Sequence, residues 1–303
     1  MSQLQPPTDP VDLEAMAAAL VGSGEYRVLR RLTPHLVQAA EPGEVVRRGL
    51  FVDVETTGLD PVRDEIIELT MTPFTYTAAG RVLAVGASFQ ALREPSRPIP
   101  SEITALTGID DAMVAGHTID PAEVVSFAAP AALVVAHNAG FDRKFLERYA
   151  DVFTTKAWAC SMSQVDWASE GYEGTKLAYL TAGAGFFYDG HRAMHDCLAA
   201  VALLAHTHPK SGRTGLSLML DQARRPTWRI WAENSPFELK DRLKARGYRW
   251  NSEGIGGPRA WYVDVAEADR DAELAFLQAE IYRGEIDLLT RRIDAYDRFS
   301  ERC

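Results

Sequence analysis

The sequence has few of the features that mark secreted, disulfide-rich or membrane proteins. Its three cysteines, Cys160, Cys197 and Cys303, are widely spaced and include no C-x-x-C pair, which argues against a disulfide framework and a zinc knuckle. No apolar run approaches the roughly 20 residues of a membrane-spanning helix, and the opening residues MSQLQPPTDPVDLE lack the basic and apolar regions of a signal peptide. We therefore expect a cytoplasmic protein that has reduced thiols and no membrane partner.

An excess of positive charge is also absent. The net charge of −10 argues against a protein whose whole surface binds nucleic acid through Lys and Arg. The charge is uneven, because acidic residues outnumber basic ones about two to one from Phe51 to Ala205, whereas the balance reverses from Gln222 to Tyr262. A chain of 303 residues accommodates one domain and a smaller second module. We therefore expect an acidic main domain followed by a basic module.

Hydrophobic patterning predicts the elements of the main domain. Short β-branched runs in GLFVDVETTGL and EIIELTMTPFTYTAAGRVLAVGASFQAL predict a meander of three strands, with a turn at Ala78-Ala79-Gly80. A further buried strand is predicted in ALVVAHN. Helices are predicted at 101–107, 121–130, 139–149, 174–182 and 193–207, and two short helices at 11–32 around Gly22 to Gly24. This order predicts a mixed α/β sheet with helices on both faces.

Two acidic residues lie on the first predicted strand of this sheet. Asp53 and Glu55 in FVDVETTG are two residues apart, so both side chains project from the same face. Neighbouring carboxylates repel each other, and a bound cation removes that cost. The alternative is a solvent-facing pair on an edge strand, although the apolar flanks Leu50, Phe51 and Val52 favour a buried strand, in which unpaired acids are costly. The pair alone leaves both interpretations open.

A third acid, Asp142, lies early in the helix that follows the buried strand. An Asp in the first turn opposes the helix dipole favourably, which is a structural explanation of its position. The apolar neighbours Phe141, Phe145 and Leu146 instead place Asp142 close to the buried edge of its helix. Both explanations stay open for this residue on its own.

The stretch GHRAMHDC contains a fourth acid, Asp196, and two histidines. His195 is the neighbour of Asp196 on a predicted helix and is rotated by about 100° around its axis, so the two cannot easily serve one metal from one side. His191 precedes the helix and is free to reach over a site that Asp196 lines. Geometry therefore favours His191 as the functional histidine.

Taken together, these residues resemble the three exonuclease motifs of the DEDDh family, the DnaQ-like 3′-to-5′ exonucleases, which include the polymerase III proofreading subunit. Asp53 and Glu55 lie in D-x-E-T-T-G, Asp142 in H-N-x-x-F-D, and His191 with Asp196 in H-x-x-x-x-D, and their order and spacing match across residues 47–208. The tyrosine-type sister family has Tyr four residues before the last Asp, where this sequence has Arg192. The segment IPSEITALTGID at 99–110 is similar to the stretch in which apolar residues pack on the 3′-terminal nucleotide. The resemblance implies an RNase H-like fold, with a mixed five-stranded sheet flanked by helices.

The resemblance also implies a mechanism and a set of site residues. Four carboxylates, those of Asp53, Glu55, Asp142 and Asp196, would hold two Mg²⁺ ions, for which Mn²⁺ substitutes, because hard oxygen ligands select hard cations. His191 would accept a proton from the attacking water, and a nucleoside 5′-monophosphate would be released. His195 is assigned no catalytic role. The residues expected to contact the terminal nucleotide are Thr56, Leu59, Ile103 and Asn138.

Residues 226–303 are predicted to form a small α+β module after a linker at 209–225, and residues 1–46 a helical N-terminal extension. Within the module we predict a helix from Phe237 to Arg246, strands at Tyr248 to Trp250 and Ala260 to Val265, and a helix ending near Tyr282. Four of the six tryptophans lie here among many basic residues. Such rings either stack on single-stranded bases beside phosphate-binding cations or form the core of a small module. The segment KDRLKARGYRWN is similar to a module appended to some bacterial DnaQ-like exonucleases, and binding of nucleic acid or of a partner protein both stay open.

We predict a metal-dependent 3′-to-5′ exonuclease that hydrolyses single-stranded or frayed DNA from the 3′ end. Repair or proofreading, in contact with a polymerase or repair complex, is the expected setting. One alternative is the same chemistry on RNA, because a four-acid site binds phosphates and barely contacts the sugar. The other alternative is a non-catalytic nucleic-acid-binding subunit, which the presence of all four acids and His191 disfavours.

Overall fold

The computed structural model describes residues 12–33, 38–190 and 192–303. Its α-helices are α1 (Leu13–Gly22), α2 (Ser101–Thr107), α3 (Asp111–Val114), α4 (Pro121–Ala128), α5 (Ala139–Tyr149), α6 (Leu177–Gly183), α7 (Ala193–Ala205), α8 (Gly215–Ala223), α9 (Lys240–Ala245) and α10 (Arg270–Phe276). Its strands are β1 (Arg30–Arg31), β2 (Val46–Thr56), β3 (Ile66–Thr77), β4 (Val82–Val85), β5 (Phe89–Leu92), β6 (Leu133–Ala136), β7 (Ala157–Cys160), β8 (Phe186–Phe187), β9 (Thr227–Ala232), β10 (Arg249–Trp250), β11 (Trp261–Ala266) and β12 (Thr290–Ile293). Among the described residues, no helix combines the length and the apolar character that crossing a membrane requires.

The central sheet runs in the order β4-β3-β2-β6-β7. β2 pairs antiparallel with β3 and parallel with β6, and β6 pairs parallel with β7. β5 pairs with the first half of β3 and β4 with the second half, so these two short strands share one edge of the sheet. The predicted turn before β4 needs its glycine, because Gly80 has φ +87° and a Cβ there would collide with the main chain of Ser217. The prediction of a mixed sheet is confirmed, but the sheet has six strands instead of the expected five, because the edge beside β3 is shared by β4 and β5.

Helices cover both faces of this sheet, as the order of elements predicts. Leu50 of β2 packs in one apolar cluster with residues of α4 and α5, whereas the adjacent Phe51 packs in a second cluster with residues of α7 and α8. Successive side chains of a strand point to opposite faces, so β2 contributes to both clusters and reads as a continuous apolar run. The segment predicted as a linker contains α8, whose Met219 is fully buried in the second cluster.

The N-terminal segment differs from the prediction of two short helices. α1 ends at Gly22, and the chain then continues to the two-residue strand β1, which pairs in parallel with β8. Arg30 forms an ion pair with Glu14 of α1, and Arg31 donates to Asp189 beside β8 at 2.9 Å. The second helix was wrong because pairing with a distant strand overrides the local apolar spacing from which it was predicted.

The C-terminal part has its own antiparallel sheet, in the order β10-β11-β9-β12, with α9 and α10 packed on it. The predicted helix and two strands of the module are confirmed within a few residues, and a π-helical turn extends α10 to Tyr282 as predicted. β12 was not predicted. After β12 the chain leaves this sheet and returns to the main domain, where the main-chain N–H of Trp158 in β7 donates to the carbonyl of Ala295 at 2.7 Å.

Candidate active site

Three of the four predicted acids meet at one point. Asp53 and Glu55 project from the same face of β2, and one carboxylate oxygen from each lies within 4.8 Å of the other and of one oxygen of Asp196. Asp196 comes from the first turn of α7 and accepts the main-chain N–H of Arg192 at 3.2 Å. The structure thus brings together residues that are more than 140 positions apart in sequence, because α7 packs directly on β2.

Asp142 is held beside these three acids by the sheet itself. β6 pairs with β2 only as far as Phe51, so the N–H of Val54 has no partner on that strand. One oxygen of Asp142 accepts this N–H at 3.2 Å, and the Asp142 side chain is buried. Asp142 therefore faces the site from the first turn of α5, which supports the functional explanation of its position over the helix-dipole explanation alone.

Burial and mutual repulsion raise the pKa values of three of these carboxyl groups. Burial and the charges of Asp142, Glu55 and Asp196 raise the pKa of Asp53 well above its ordinary value. Burial and the charges of Glu68 and Asp196 raise the pKa of Glu55 to about 7. Burial likewise raises the pKa of Asp142. A divalent cation would relieve this repulsion, and the donor set of carboxylate oxygens suits Mg²⁺ or Mn²⁺.

A fifth carboxylate, that of Glu68, was not predicted from the sequence. Glu68 lies directly opposite Glu55 in the register of β3 on β2 and is fully buried. One of its oxygens accepts from the side chain of Gln90 at 2.6 Å, and the other accepts from the N–H of Ala193, the first residue of α7, at 3.5 Å. A charged residue inside the apolar run EIIELTM was the available signal, but the strand register that places it opposite Glu55 cannot be read from the sequence.

Tyr188 was also missed. Its hydroxyl donates to Asp196 at 2.7 Å, and burial together with the charge of Asp196 raises the pKa of this tyrosine. The phenol therefore stays protonated at neutral pH and fixes one oxygen of Asp196. Nothing in the sequence signals this role, since Tyr188 lies in a loop eight residues before its partner.

His137, the first residue of the H-N-x-x-F-D motif, positions a loop. Its Nε2 lies 2.8 Å from the carbonyl of Thr175, which can only accept, so this nitrogen carries the proton and donates. Its Nδ1 then accepts from the hydroxyl of Ser161 at 2.9 Å. Burial lowers the pKa of His137, in agreement with this neutral form.

The four residues expected at the terminal nucleotide have different surroundings. Thr56 is buried and its hydroxyl donates to the carbonyl of Gly58 at 2.6 Å. Leu59 is 83% exposed, and Ile103 packs on a small cluster that includes Ile109. Asn138 is the exposed N-cap residue of α5, and its side chain makes no capping hydrogen bond. Their contact with a nucleotide stays a prediction.

The two histidines of GHRAMHDC can be compared only in part. His191, the predicted general base, lies outside the described residues. His195 is partly buried on α7, and its Nδ1 donates to the carbonyl of Asp189 at 2.9 Å. This ring is therefore engaged with the backbone before α7, and its lack of a catalytic role stays a prediction.

A mixed sheet with helices on both faces and a cluster of carboxylates at the end of its central strand defines an RNase H-like α/β protein of the nuclease type. The chain belongs to the exonuclease family known as RNase_T, whose family model matches residues 50–204, just over half of the sequence. The resemblance to the DnaQ-like exonucleases is thereby confirmed, and so is the RNase H-like fold.

Curated relatives include the PolC-type DNA polymerase III of Caldanaerobacter subterraneus, 29% identical over 69% of this chain. A DNA polymerase III subunit epsilon-like protein of Rhodobacter capsulatus is 42% identical over 32% of this chain. The alignments cover only 16% and 14% of those two proteins. Among solved structures, zinc-bound exonuclease I of E. coli with single-stranded DNA has a TM-score of 0.52 at 14% identity, covering 73% of this chain and 63% of that one, which is a likeness of fold alone.

Proposed function

We propose that this protein is a metal-dependent 3′-to-5′ exonuclease that removes nucleoside 5′-monophosphates from single-stranded or frayed DNA. The observation that carries the proposal is the convergence of Asp53, Glu55 and Asp196 within 4.8 Å, with Asp142 beside them. The names of the polymerase relatives support DNA as the substrate. Repair or proofreading beside a polymerase is the proposed setting. The cytoplasm is the proposed compartment, because the three cysteines are free and buried.

The cations that such chemistry needs fit the residues present. Asp53, Glu55, Asp142 and Asp196 would hold two Mg²⁺ or Mn²⁺ ions. The raised pKa values of Asp53, Glu55 and Asp142 report the crowding of negative charge that these ions would neutralise. When bound, such ions stabilise the negative charge that develops on the phosphate. The protein's own contribution is to fix the carboxylates, through Val54 for Asp142 and through Tyr188 and Arg192 for Asp196.

The remaining steps are assigned to residues around these acids. His191 accepts the proton of the attacking water in this proposal, since an imidazole is suited to act as a general base near pH 7 and this residue precedes Arg192, whose N–H donates to Asp196. Leu59, Ile103 and Asn138 hold the terminal nucleotide. Two observations support the contacts of Leu59 and Asn138. The Leu59 side chain is exposed, and the Asn138 side chain makes no capping hydrogen bond at the start of α5.

The test is hydrolysis of a 5′-labelled single-stranded DNA oligonucleotide and of its RNA counterpart with Mg²⁺ or Mn²⁺. The wild type should shorten the DNA progressively from the 3′ end, Asp53→Asn should abolish activity, and His191→Ala should lower it by about two orders of magnitude or more. His195→Ala is the matched control and should stay near the wild type. Faster hydrolysis of the RNA than of the DNA would replace DNA by RNA as the proposed substrate. Metal binding without hydrolysis of either strand would favour the non-catalytic alternative.

A further inference from the structure

A groove runs between α5 and the C-terminal sheet. It consists of two adjoining cavities of about 590 and 250 Å³, which share Lys144, Arg229 and Tyr262 in their walls. The larger cavity begins at Gly140 and Lys144 on α5 and at Ser163 and Gln164 after β7. The smaller one ends at Trp250. We call this continuous feature the basic groove.

The charge of the basic groove is opposite to that of the whole chain. Its walls carry five cationic side chains, those of Lys144, Arg225, Arg229, Arg249 and Arg298, against the three carboxylates of Asp264, Glu253 and Glu301. Lys144 and Arg225 form no ion pair with any described residue. A local excess of positive charge in a protein of net charge −10 attracts a polyanion to this groove and away from the remaining surface.

Two arginines in the groove compete for one carboxylate. Asp264 accepts from Arg229 at 2.7 and 2.9 Å and from Arg249 at 3.4 Å. The Arg249 side chain is 65% exposed, and its guanidinium lies 5.0 Å from the centre of the Tyr262 ring. Arg229 is thus neutralised within the protein, whereas Arg249 keeps donors that point to solvent and can contact a phosphate.

The exposed ring of Trp250 lies on the other face of the C-terminal sheet. Trp250 is 50% exposed and makes an edge contact with Trp261, at 5.7 Å between ring centres, on the face that packs against α9 and α10. Arg249, the preceding residue of β10, instead pairs with Tyr262 and faces the groove. The cationic side chains, and not this ring, are therefore the feature of the groove that can bind a nucleic acid.

The groove lies next to the candidate active site. Gly140 and Lys144 lie on the side of α5 away from Asp142, about 200° around the helix axis. The first turn of α5 therefore separates the acids from the mouth of the groove. A strand whose 3′ end reaches Asp142 can pass over this turn, where Asn138 is exposed, and enter the groove.

We propose that the basic groove binds the single-stranded DNA on the 5′ side of the nucleotide being removed. Lys144, Arg225 and Arg249 contact its phosphates. This inference rests on the proposed exonuclease activity and adds to it a preference for long strands over short ones, because a short strand that fills the active site does not reach Arg249.

The kinetic test uses thymidine oligonucleotides of three and of twenty residues as substrates. The wild type should have a higher kcat/KM for the long strand, and this ratio should fall at least about fivefold in the double variant Lys144→Ala/Arg249→Ala. Trp250→Ala, which changes the other face of the same strand, should retain the preference. Arg242→Ala and Phe237→Ala, which remove an exposed cation and an exposed ring of the same module outside the groove, are the matched controls.

Binding measured separately from turnover keeps the test independent of catalysis. With labelled twenty-residue oligothymidylate in EDTA, the slope of log affinity against log salt should become shallower by about 0.7 for each lost phosphate contact in the Lys144 and Arg249 variants. Melting temperatures equal to that of the wild type exclude misfolding as the cause. If the wild type is active but the groove variants keep its length preference and its salt slope, the proposed role of the groove is wrong and the proposed function stands. Lack of hydrolysis of both strands by the wild type would instead overturn the proposed function.

Discussion

The guanidinium of Arg143 donates a hydrogen bond of 2.6 Å to the main-chain carbonyl of Tyr296. The same group donates to the carbonyl of Arg298 at 2.6 Å and to Glu147 at 2.7 Å. Arg143 follows Asp142 directly on α5 and its side chain is fully buried. The last turn of the chain therefore anchors the helix that places Asp142 in the candidate active site.

Replacing Arg143 should destabilise the protein strongly. Arg143→Met leaves the carbonyls of Tyr296 and Arg298 without this buried donor and removes the buried partner of Glu147, which keeps only Arg302 and Ser300 as donors. Loss of one partner of a buried ion pair costs about 3 to 5 kcal/mol. The free energy of unfolding, measured with urea, checks this. Arg148→Ala is the matched control, because Arg148 lies on the same helix, pairs with Glu301 and is 47% exposed, so its loss should cost less than about 1 kcal/mol. Equal effects of the two substitutions would contradict a buried anchor.

Glu68→Gln should weaken cation binding. The substitution keeps the volume of the side chain but removes a negative charge that lies directly opposite Glu55. Outer residues that support a metal site typically change metal affinity about 10- to 100-fold, and a loss near the lower end is expected here because Gln retains an oxygen for Gln90 or Ala193. Titration of the metal-free protein with Mn²⁺ measures the affinity. Gln90→Ala is the control, and an unchanged Mn²⁺ affinity in Glu68→Gln would show that its charge does not reach the site.

The metal-free protein should become more stable as the pH falls from about 7 to about 4.5, through the titration of Glu55. The pKa of Glu55 is about 7 in the fold, against an ordinary value of 4.5, so its ionised form favours the unfolded state and its protonation favours the folded state. Burial lowers the pKa of His206 and His208, which acts in the opposite direction below their ordinary pKa of 6.5.

The comparison of wild type with Glu55→Gln isolates the carboxyl from these histidines. In urea unfolding with EDTA, Glu55→Gln should be the more stable protein above pH 7, and the difference should shrink to near zero by pH 4.5. A difference in unfolding free energy that does not change with pH would contradict a raised pKa at Glu55.

Tyr188→Phe should lower kcat while leaving the fold intact. The hydroxyl of Tyr188 donates to Asp196 at 2.7 Å, and its loss lets that carboxylate turn away from the position in which it faces Asp53 and Glu55. A hydrogen bond to a charged group contributes about 1.5 to 3 kcal/mol, so a loss of activity of about 10- to 150-fold is expected. Tyr179→Phe, which changes an exposed tyrosine on α6, serves as the control. Full activity in Tyr188→Phe would remove Tyr188 from the set of positioning residues.

The four acids could be predicted because each lies in a local pattern: a D-x-E pair on an apolar strand, and single acids in the first turn of two helices. Glu68 and Tyr188 could not, since one depends on the register between β2 and β3 and the other on the path of a loop. The same distinction applies to the fold. Longer helices such as α5 and α7 follow from their apolar spacing, whereas β1 consists of two arginines that form a strand only because β8 lies beside them.

The return of the chain from β12 to β7 also affects how cooperatively the protein unfolds. The contacts of Trp158 with Ala295 and of Arg143 with Tyr296 join the two sheets of the molecule through its last ten residues. Deleting residues 226–303 would therefore remove part of the support of α5 along with the module itself. The two regions differ in charge and in motif content, but the segment that they share joins them into one folding unit. We therefore expect a single melting transition.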